Sequence, residues 1–453
     1  MKNVKAILFA EGFVSVSLQF LFMRHLLPQV GSSVVVSTII VSIFLLFLSV
    51  GYHFGGKAKD NHAGQLSKNI LLSAAVLSIG LSSLVSELFF AVVSRYAGLH
   101  LTLAFYLIIF MAPAVFWLGQ TMPLLANLVR ADSSGKVSAT VLFFSTIGNV
   151  IGSLISVLIL MRYFGLGVTS LINIGVLLGL YLVLSERRYF QVVLAALVGV
   201  MAYGFIYITE STKYDKTNQY ANYKVISGPE ADGLFLDPSR KGRVLIGNNL
   251  PQSIIGAEGD TRTSPYIEFI QSKISRKAGQ PKNILVLGSG GFTAGLGDEV
   301  NKYVYVDIDD QIQEYAEKYF LRGKINGAFQ PDDARKYLIE HSERRDVILL
   351  DSFHSRISIP QHLMTQEYFQ LVKDRVKDNG LVIINTVQAV GFSDEYSYTL
   401  NNTINSVFEA CTSTEIGAQF KGTEGLGLTN LIYVCYNTKG SKNILGDDRV
   451  NLN

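Results

Sequence analysis

Cysteine is nearly missing from this chain of 453 residues: Cys411 and Cys435 are its only two. That excludes a disulfide-stapled framework, which needs several pairs in a short chain. Neither cysteine has His or Cys neighbours at zinc spacing, so no metal is expected. The two are either a pair of core thiols or one bridge, and a bridge requires an oxidising compartment. Charge is also sparse, with 39 Lys and Arg against 36 Asp and Glu for a net of +3. No strongly basic soluble domain is present, so the electrostatic footprint of a nucleic-acid binder is missing. The charge that exists is unevenly placed. Residues 1–208 hold 12 Lys/Arg and 5 Asp/Glu, a net of +7, which leaves 27 and 31, a net of −4, for residues 209–453.

Long apolar runs fill the charge-poor part. Seven stretches reach the length of about 20 residues that a bilayer-crossing helix needs: near 5–27, 34–54, 69–94, 100–129, 139–161, 165–185 and 189–208. The fourth is over-long and holds Pro113 and Pro123, which predicts a kink or a break. Lys2 and Lys5 precede the first, but no small-residue cleavage site follows Arg24, His25 and Pro28, so it reads as a retained helix rather than a signal peptide. Gly51 with Gly55, and Gly148 with Gly152, have the four-residue spacing that lets helix backbones approach in lipid. Glu11 and Glu87 fall within the expected spans, where an acid is costly.

Basic residues set an orientation. Segments on one side carry Lys2, Lys5, Lys57, Lys59, Lys68, Arg130, Lys136, Arg187 and Arg188, and those on the other carry Arg24, Arg95 and Arg162. By the positive-inside rule the N-terminus is cytoplasmic. Seven crossings then place the remainder outside; one crossing fewer, around 100–129, would return it to the cytoplasm. The expected localisation is a multi-pass protein of the cell membrane, with the side of the soluble part left open.

The soluble part is organised around Asn283 to Asp309. An apolar run, Ile284 to Leu287, stops at Gly288, Gly290, Gly291, Gly295 and Gly297; a second, Tyr303 to Val306, ends in Asp307, 19 residues after Gly288. This layout predicts strand, tight turn, helix and parallel strand, with an acid placed for ribose hydroxyls. The spacing departs from a strict GxGxxG, which argues against a typical dinucleotide site and leaves room for S-adenosyl ligands. Upstream, short runs between turn residues from Asn222 to Ile255 read as a small antiparallel lead-in, followed by a helix from about Pro265 to Arg276. Downstream come a helix from Gln311 to Tyr319, the strand DVILL ending in Asp351, a helix from Gln366 to Val376, the turn DNG at 378–380, the strand LVIINT, and the strand pair TEIGAQF and LIYVCY.

The expected architecture is therefore a multi-pass α-helical membrane domain (1–210), a small β lead-in with a helix (211–280) and an α/β domain (281–453). The last reads as a Rossmann-like, doubly wound parallel sheet of the S-adenosylmethionine-methyltransferase kind. Ligands in such sheets bind outside the carboxyl ends of the strands. Gly288, Asp307, Asp333 and Asp351 all fall at or just past such ends.

Taken together, LIGNNLPQS, SPYIEFI, ILVLGSGG, YVDID, DDARKYL, DVILLDS and NGLVIINT, spread over residues 222–437, resemble the spermidine synthases, the polyamine aminopropyltransferases, in their membrane-fused form. The resemblance implies a donor, decarboxylated S-adenosylmethionine, on Gly288, Gly290 and Asp307, with its adenine beside Asp333 and Ala334 and Gln252 touching the nucleoside. It also implies a diamine acceptor such as putrescine, with Asp351 as proton acceptor beside Tyr266. Three positions depart from the family. Gly291 stands where the glycine loop usually has an acid, His354 where a second acid grips the diamine, and Ile267 where a histidine follows the tyrosine. An S-adenosylmethionine-dependent methyltransferase and a non-catalytic nucleoside sensor or transporter accessory are the competing readings. The bilayer and a small polyamine are the implied partners, and a homo-oligomer is left open.

Overall fold

The computed structural model describes residues 4–31, 33–59, 61–128, 134–184, 188–235, 241–257, 261–275, 280–352, 361–417 and 428–437. It divides into two compact units, Met1–Lys224 and Val225–Asn453.

The first unit is helical. Among the described residues, five helices are long and apolar enough to cross a membrane: Val4–Val30, Val34–Gly56, Leu99–Leu128, Gly135–Leu184 and Tyr189–Lys213. The pair His62–Gly80 and Ser83–Val93 passes the same test only when its two helices, bent by 66°, are taken together as one span. A straight helix of the 50 residues in Gly135–Leu184 would run about 75 Å, far beyond the roughly 30 Å of a hydrocarbon core. Gly165, at φ 80° and ψ 178°, breaks it into two. The apolar segments read from the sequence overlap these helices, those near 139–161 and 165–185 lying in the one that bends at Gly165. In Leu99–Leu128 a π-helical turn, Leu107–Met111, precedes Pro113, and the helix is interrupted at Gln120 before Pro123.

Small residues seat these helices on each other. A Cβ at Gly148 or Gly152 would run into the backbone carbonyl of Phe9 or Phe13, and one at Gly51 into that of Phe116. Both four-residue glycine spacings are therefore helix crossings, joined by Gly12, which faces the carbonyl of Ser145. Glu87 pairs with Lys213. Glu11 is buried, and its Oε2 has no hydrogen-bond partner among the described residues. Arg24 donates to the Asn218 carbonyl at 2.8 Å and to Asn222 Oδ1 at 2.6 Å. The unit closes with β1 (Lys216–Thr217) paired antiparallel to β2 (Asn222–Ser227), whose later residues open the second unit.

In the second unit β3 (Gly242–Gly247) and β4 (Leu250–Gly256) form an antiparallel hairpin. Asn248 and Asn249 join them, both at positive φ (50° and 64°), as a two-residue hairpin turn of the right twist demands. A seven-stranded sheet follows: β5 (Asn283–Leu287), β6 (Lys302–Asp307), β7 (Ala328–Pro331), β8 (Arg345–Leu350), β9 (Val376–Ala389), β10 (Cys411–Ile416) and β11 (Leu428–Tyr436), in the spatial order β10-β11-β9-β8-β5-β6-β7. Neighbours from β7 to β9 are parallel, and β11 runs antiparallel between β9 and β10. The order reverses at β5, so the crevice outside the ends of β5 and β8 is the topological switch point where such sheets take ligands. The apolar runs of these strands are buried on both faces, as parallel strands under two helical layers must be.

Three expectations are corrected. No α-helix follows β5; a single 3₁₀ turn, Thr293–Gly295, replaces it. Glycine is the cause: Gly297 is at φ 75°, and Gly295 lies so close to Tyr303 and Tyr305 that the segment packs flat on β6. The DNG at 378–380 is not a free turn. It is an irregularity inside β9, where Arg345 pairs with Val376 but Val347 pairs with Leu381 and Asn379 takes φ 61°. The last strand pair begins at Cys411, three residues before TEIGAQF, and residues 418–427 lie outside those described. Cys411 and Cys435 face each other across β10 and β11 and form a disulfide.

Candidate active site

The first strand of the sheet delivers the glycine loop. At Gly288 the chain turns at φ 95°, and a Cβ there would strike the backbone of Asp351, so only glycine lets the loop pass the end of β8. Three hydrogen bonds tie the strand ends together. Gly288 N donates to the Val306 carbonyl (2.9 Å), Asp351 N to the Leu287 carbonyl (2.8 Å) and Ser352 Oγ to that same carbonyl (2.9 Å). Gly290 follows at φ 49°.

Asp307 ends β6 with its carboxylate turned to this loop. Its Oδ2 accepts from Ser289 N at 2.8 Å and its Oδ1 from Asp309 N at 3.0 Å. A carboxylate in this position is the kind of acceptor that a pair of vicinal hydroxyls requires. Ser289 Oγ, beside it, is buried with no partner among the described residues, a polar atom that calls for one. A turn held at positive φ, an acid and an orphaned hydroxyl fit a nucleoside ligand.

Asp351 stands at the end of β8, and both of its oxygens are held. Asn385 Nδ2, from β9, donates to Oδ1 at 2.8 Å, and the Tyr266 hydroxyl donates to Oδ2 at 3.2 Å. Tyr266 comes from the first turn of the Pro265–Ser275 helix and is 7% exposed. Burial pushes the Asp351 carboxyl above the usual carboxylate range, against the opposing pull of the hydrogen bonds from Asn385 and Tyr266. Burial, and then the carboxylate beside it, hold the Tyr266 phenol well above its ordinary value. Tyr266 is therefore a donor, and Asp351 a carboxylate with raised proton affinity, the direction that suits a general base.

The other expected residues divide. Asp333 caps the Ala334–Glu340 helix, its Oδ1 accepting from Arg335 N (3.0 Å) and Lys336 N (2.9 Å) while Oδ2 meets His362 Nε2 at 3.2 Å. Ala334 is buried as the first residue of that helix. The Gln252 amide lies over Gly247 within the hairpin. Its neighbour Ser253 is the residue that reaches the glycine loop, its Oγ accepting from Gly291 N at 2.8 Å. Gly291 itself has no room for the acid common in the family, because a Cβ there would meet the Phe320 ring and Ser253. Ile267 is buried in its helix. His354 lies outside the described residues.

Four residues that sequence reasoning passed over lie against these candidates: Ser253, Ser289, His362 and Asn385. For Asn385 a signal existed, an amide at the end of the apolar run LVII, where a polar group is costly unless it has a partner. Ser253 had no such signal, because Gln252 is the extra residue at an irregularity of the hairpin, where Leu245 pairs with Ser253 and Ile246 with Pro251.

Residues 265–416 match the spermine/spermidine synthase domain. A polyamine aminopropyltransferase of Oceanobacillus iheyensis is 26% identical over 438 residues, covering 90% of this chain and 82% of that protein. One from Saccharolobus solfataricus is 33% identical over 159 residues, 32% of this chain; the match spans about half, 52%, of that protein. Among solved structures, the spermidine synthase of Thermotoga maritima aligns with 49% of this chain and 71% of its own at 17% identity and a TM-score of 0.38.

Proposed function

We propose that this chain, which carries a spermine/spermidine synthase domain at residues 265–416, is a membrane-fused aminopropyltransferase that moves an aminopropyl group from decarboxylated S-adenosylmethionine to a diamine such as putrescine, leaving methylthioadenosine. The donor supplies a carbon activated by a sulfonium leaving group. Gly288, Gly290, Ser289 and Asp307 would hold its nucleoside, and Asp333 with Ala334 would border the adenine. Asp351 does the chemistry that belongs to the protein. An alkylammonium keeps its proton to about pH 10, so the attacking amine needs a carboxylate that takes one. Asp351 takes the ammonium's proton, and the lone pair this frees forms the N–C bond as the C–S bond breaks.

The observation that carries this reading is the placement of Asp351, a raised carboxylate at the switch point with its two oxygens fixed by Asn385 and Tyr266. Calorimetric titration tests it. Decarboxylated S-adenosylmethionine and methylthioadenosine should bind more tightly than S-adenosylmethionine. The reverse ranking would transfer the site to a methyltransferase, and binding of nucleoside without turnover would transfer it to a sensor.

The helical unit is proposed to lie in the cell membrane with the N-terminus cytoplasmic, on the basic-residue asymmetry. Seven crossings then put the catalytic unit in an oxidising space, and the Cys411–Cys435 disulfide supports that side. The donor would then have to be delivered there. Single cysteines at Ser133 and Lys442, in a chain with the native pair replaced, test it with an impermeant thiol reagent. Labelling at Lys442 alone is expected; protection of both positions would mean an even number of crossings.

A further inference from the structure

Among the described residues, one arm of the Asn385 amide beside Asp351 has no partner. The side chain is 5% exposed, and its Nδ2 donates to Asp351 Oδ1 at 2.8 Å. A carboxylate oxygen only accepts, so the amide cannot be turned over, and its own Oδ1 is fixed on the other arm. That Oδ1 is buried and has no hydrogen-bond partner among the described residues. An apolar residue of similar shape would avoid leaving an acceptor unmatched in such a place, where the penalty is substantial. The amide oxygen sits one amide width and one hydrogen bond from Asp351, and what it lacks is an N–H.

We propose that Asn385 Oδ1 is the second hydrogen-bond acceptor for the attacking amine, and that Asp351 and Asn385 together restrict the nucleophile to primary amines. This rests on the aminopropyl-transfer reading and adds to it the class of acceptor. The ammonium gives one proton to Asp351, and the neutral primary amine that remains has one lone pair and two hydrogens. The lone pair forms the N–C bond as C–S breaks; one N–H is donated to the Asp351 carboxyl and the other to Asn385 Oδ1, and both stay on the nitrogen of the ammonium product. A neutral secondary amine has a single hydrogen, donates it to Asp351, and leaves the amide oxygen buried and unpaired in the transition state. Before deprotonation both amines are ammonium ions with at least two N–H groups, so the discrimination appears in kcat rather than in KM.

The test uses the full-length protein in detergent, with decarboxylated S-adenosylmethionine and two acceptors, 1,4-diaminobutane and its N,N′-dimethyl derivative. In the wild type kcat should favour the primary diamine by roughly 10- to 100-fold. Asn385→Leu, of nearly the same shape, should bring that ratio close to one while methylthioadenosine affinity holds. A ratio that survives in Asn385→Leu would mean that the methyl groups are excluded by shape, and equal use of both amines by the wild type would mean no selection; either overturns the proposal. Asn385→Asp supplies a second check independent of how the leucine variant folds. When its new carboxyl and Asp351 share one proton, the hydroxyl replaces the amide N–H and the carbonyl keeps the acceptor, so selectivity should return on the acid side of the pH profile. Selectivity absent at every pH in that variant would count against the proposal. If the wild type releases no methylthioadenosine with either amine, the underlying reaction has failed, whereas failure of the Asn385 role alone leaves wild-type transfer intact.

Discussion

Glycine does different work in the two units. In the helical unit Gly12, Gly51, Gly148 and Gly152 sit in ordinary helical backbone, and what matters is the missing Cβ, because a neighbouring helix's carbonyl occupies its place. In the α/β unit Gly288, Gly290 and Gly297 take positive φ, and backbone conformation is the requirement, joined at Gly288 by close approach to Asp351. The first use leaves a periodic trace in the sequence and the second a cluster. Such a cluster invites the expectation of a helix, but glycines that take positive φ keep one from forming.

This contrast can be broken in order of effect. Gly288→Ala combines a strained φ with a backbone collision, and nucleoside affinity should fall about 10- to 100-fold; calorimetry showing unchanged affinity would separate the loop from the ligand. Gly148→Leu should destabilise the helical unit by about 1–3 kcal/mol through overpacking, with Gly148→Ala costing less, as followed by thermal melting in detergent. Equal costs for the two would mean that volume at the crossing is not the issue. Asp333→Ala should cost about 1 kcal/mol through loss of the helix cap, while Asp333→Asn, which keeps a capping oxygen, costs less. If Asp333→Asn instead weakens nucleoside binding with no effect on melting, its adenine role outweighs the cap.

A pH dependence follows from the buried acid. Burial raises the Asp351 carboxyl, so the folded chain binds that proton more tightly than the unfolded one, and stability is lost as pH rises through the raised value. The loss is absent below the ordinary aspartate value of about 3.9. Asp351→Asn should accordingly melt higher than the wild type at neutral pH, with the gap closing on acidification. A gap that widens in acid would mean that the carboxylate is stabilised in place.

Much of this was legible beforehand because spacing and strand ends are written in the sequence. Asp307 and Asp351 follow apolar runs that can only be buried strands, and Tyr266 follows a Ser-Pro helix start. What was not legible depends on neighbours distant in the chain. Asn385 becomes meaningful only when β9 is placed beside β8, and Ser253 only when the hairpin meets the glycine loop. Gly291 reads as a lost acid until Phe320 is seen to fill the space. The cysteine pair stayed ambiguous for the same reason, since 24 residues separate it and the register of β10 on β11 unites it.

The most direct test of the whole account is the turnover of Asp351→Asn in aminopropyl transfer from decarboxylated S-adenosylmethionine to 1,4-diaminobutane, with methylthioadenosine affinity measured on the same protein. A general base of this kind contributes about 10²- to 10⁴-fold, so turnover should fall by that order while the affinity stays close to that of the wild type. Full turnover in Asp351→Asn, lost instead in His354→Ala, would contradict the assignment of the proton acceptor on which the proposed chemistry stands.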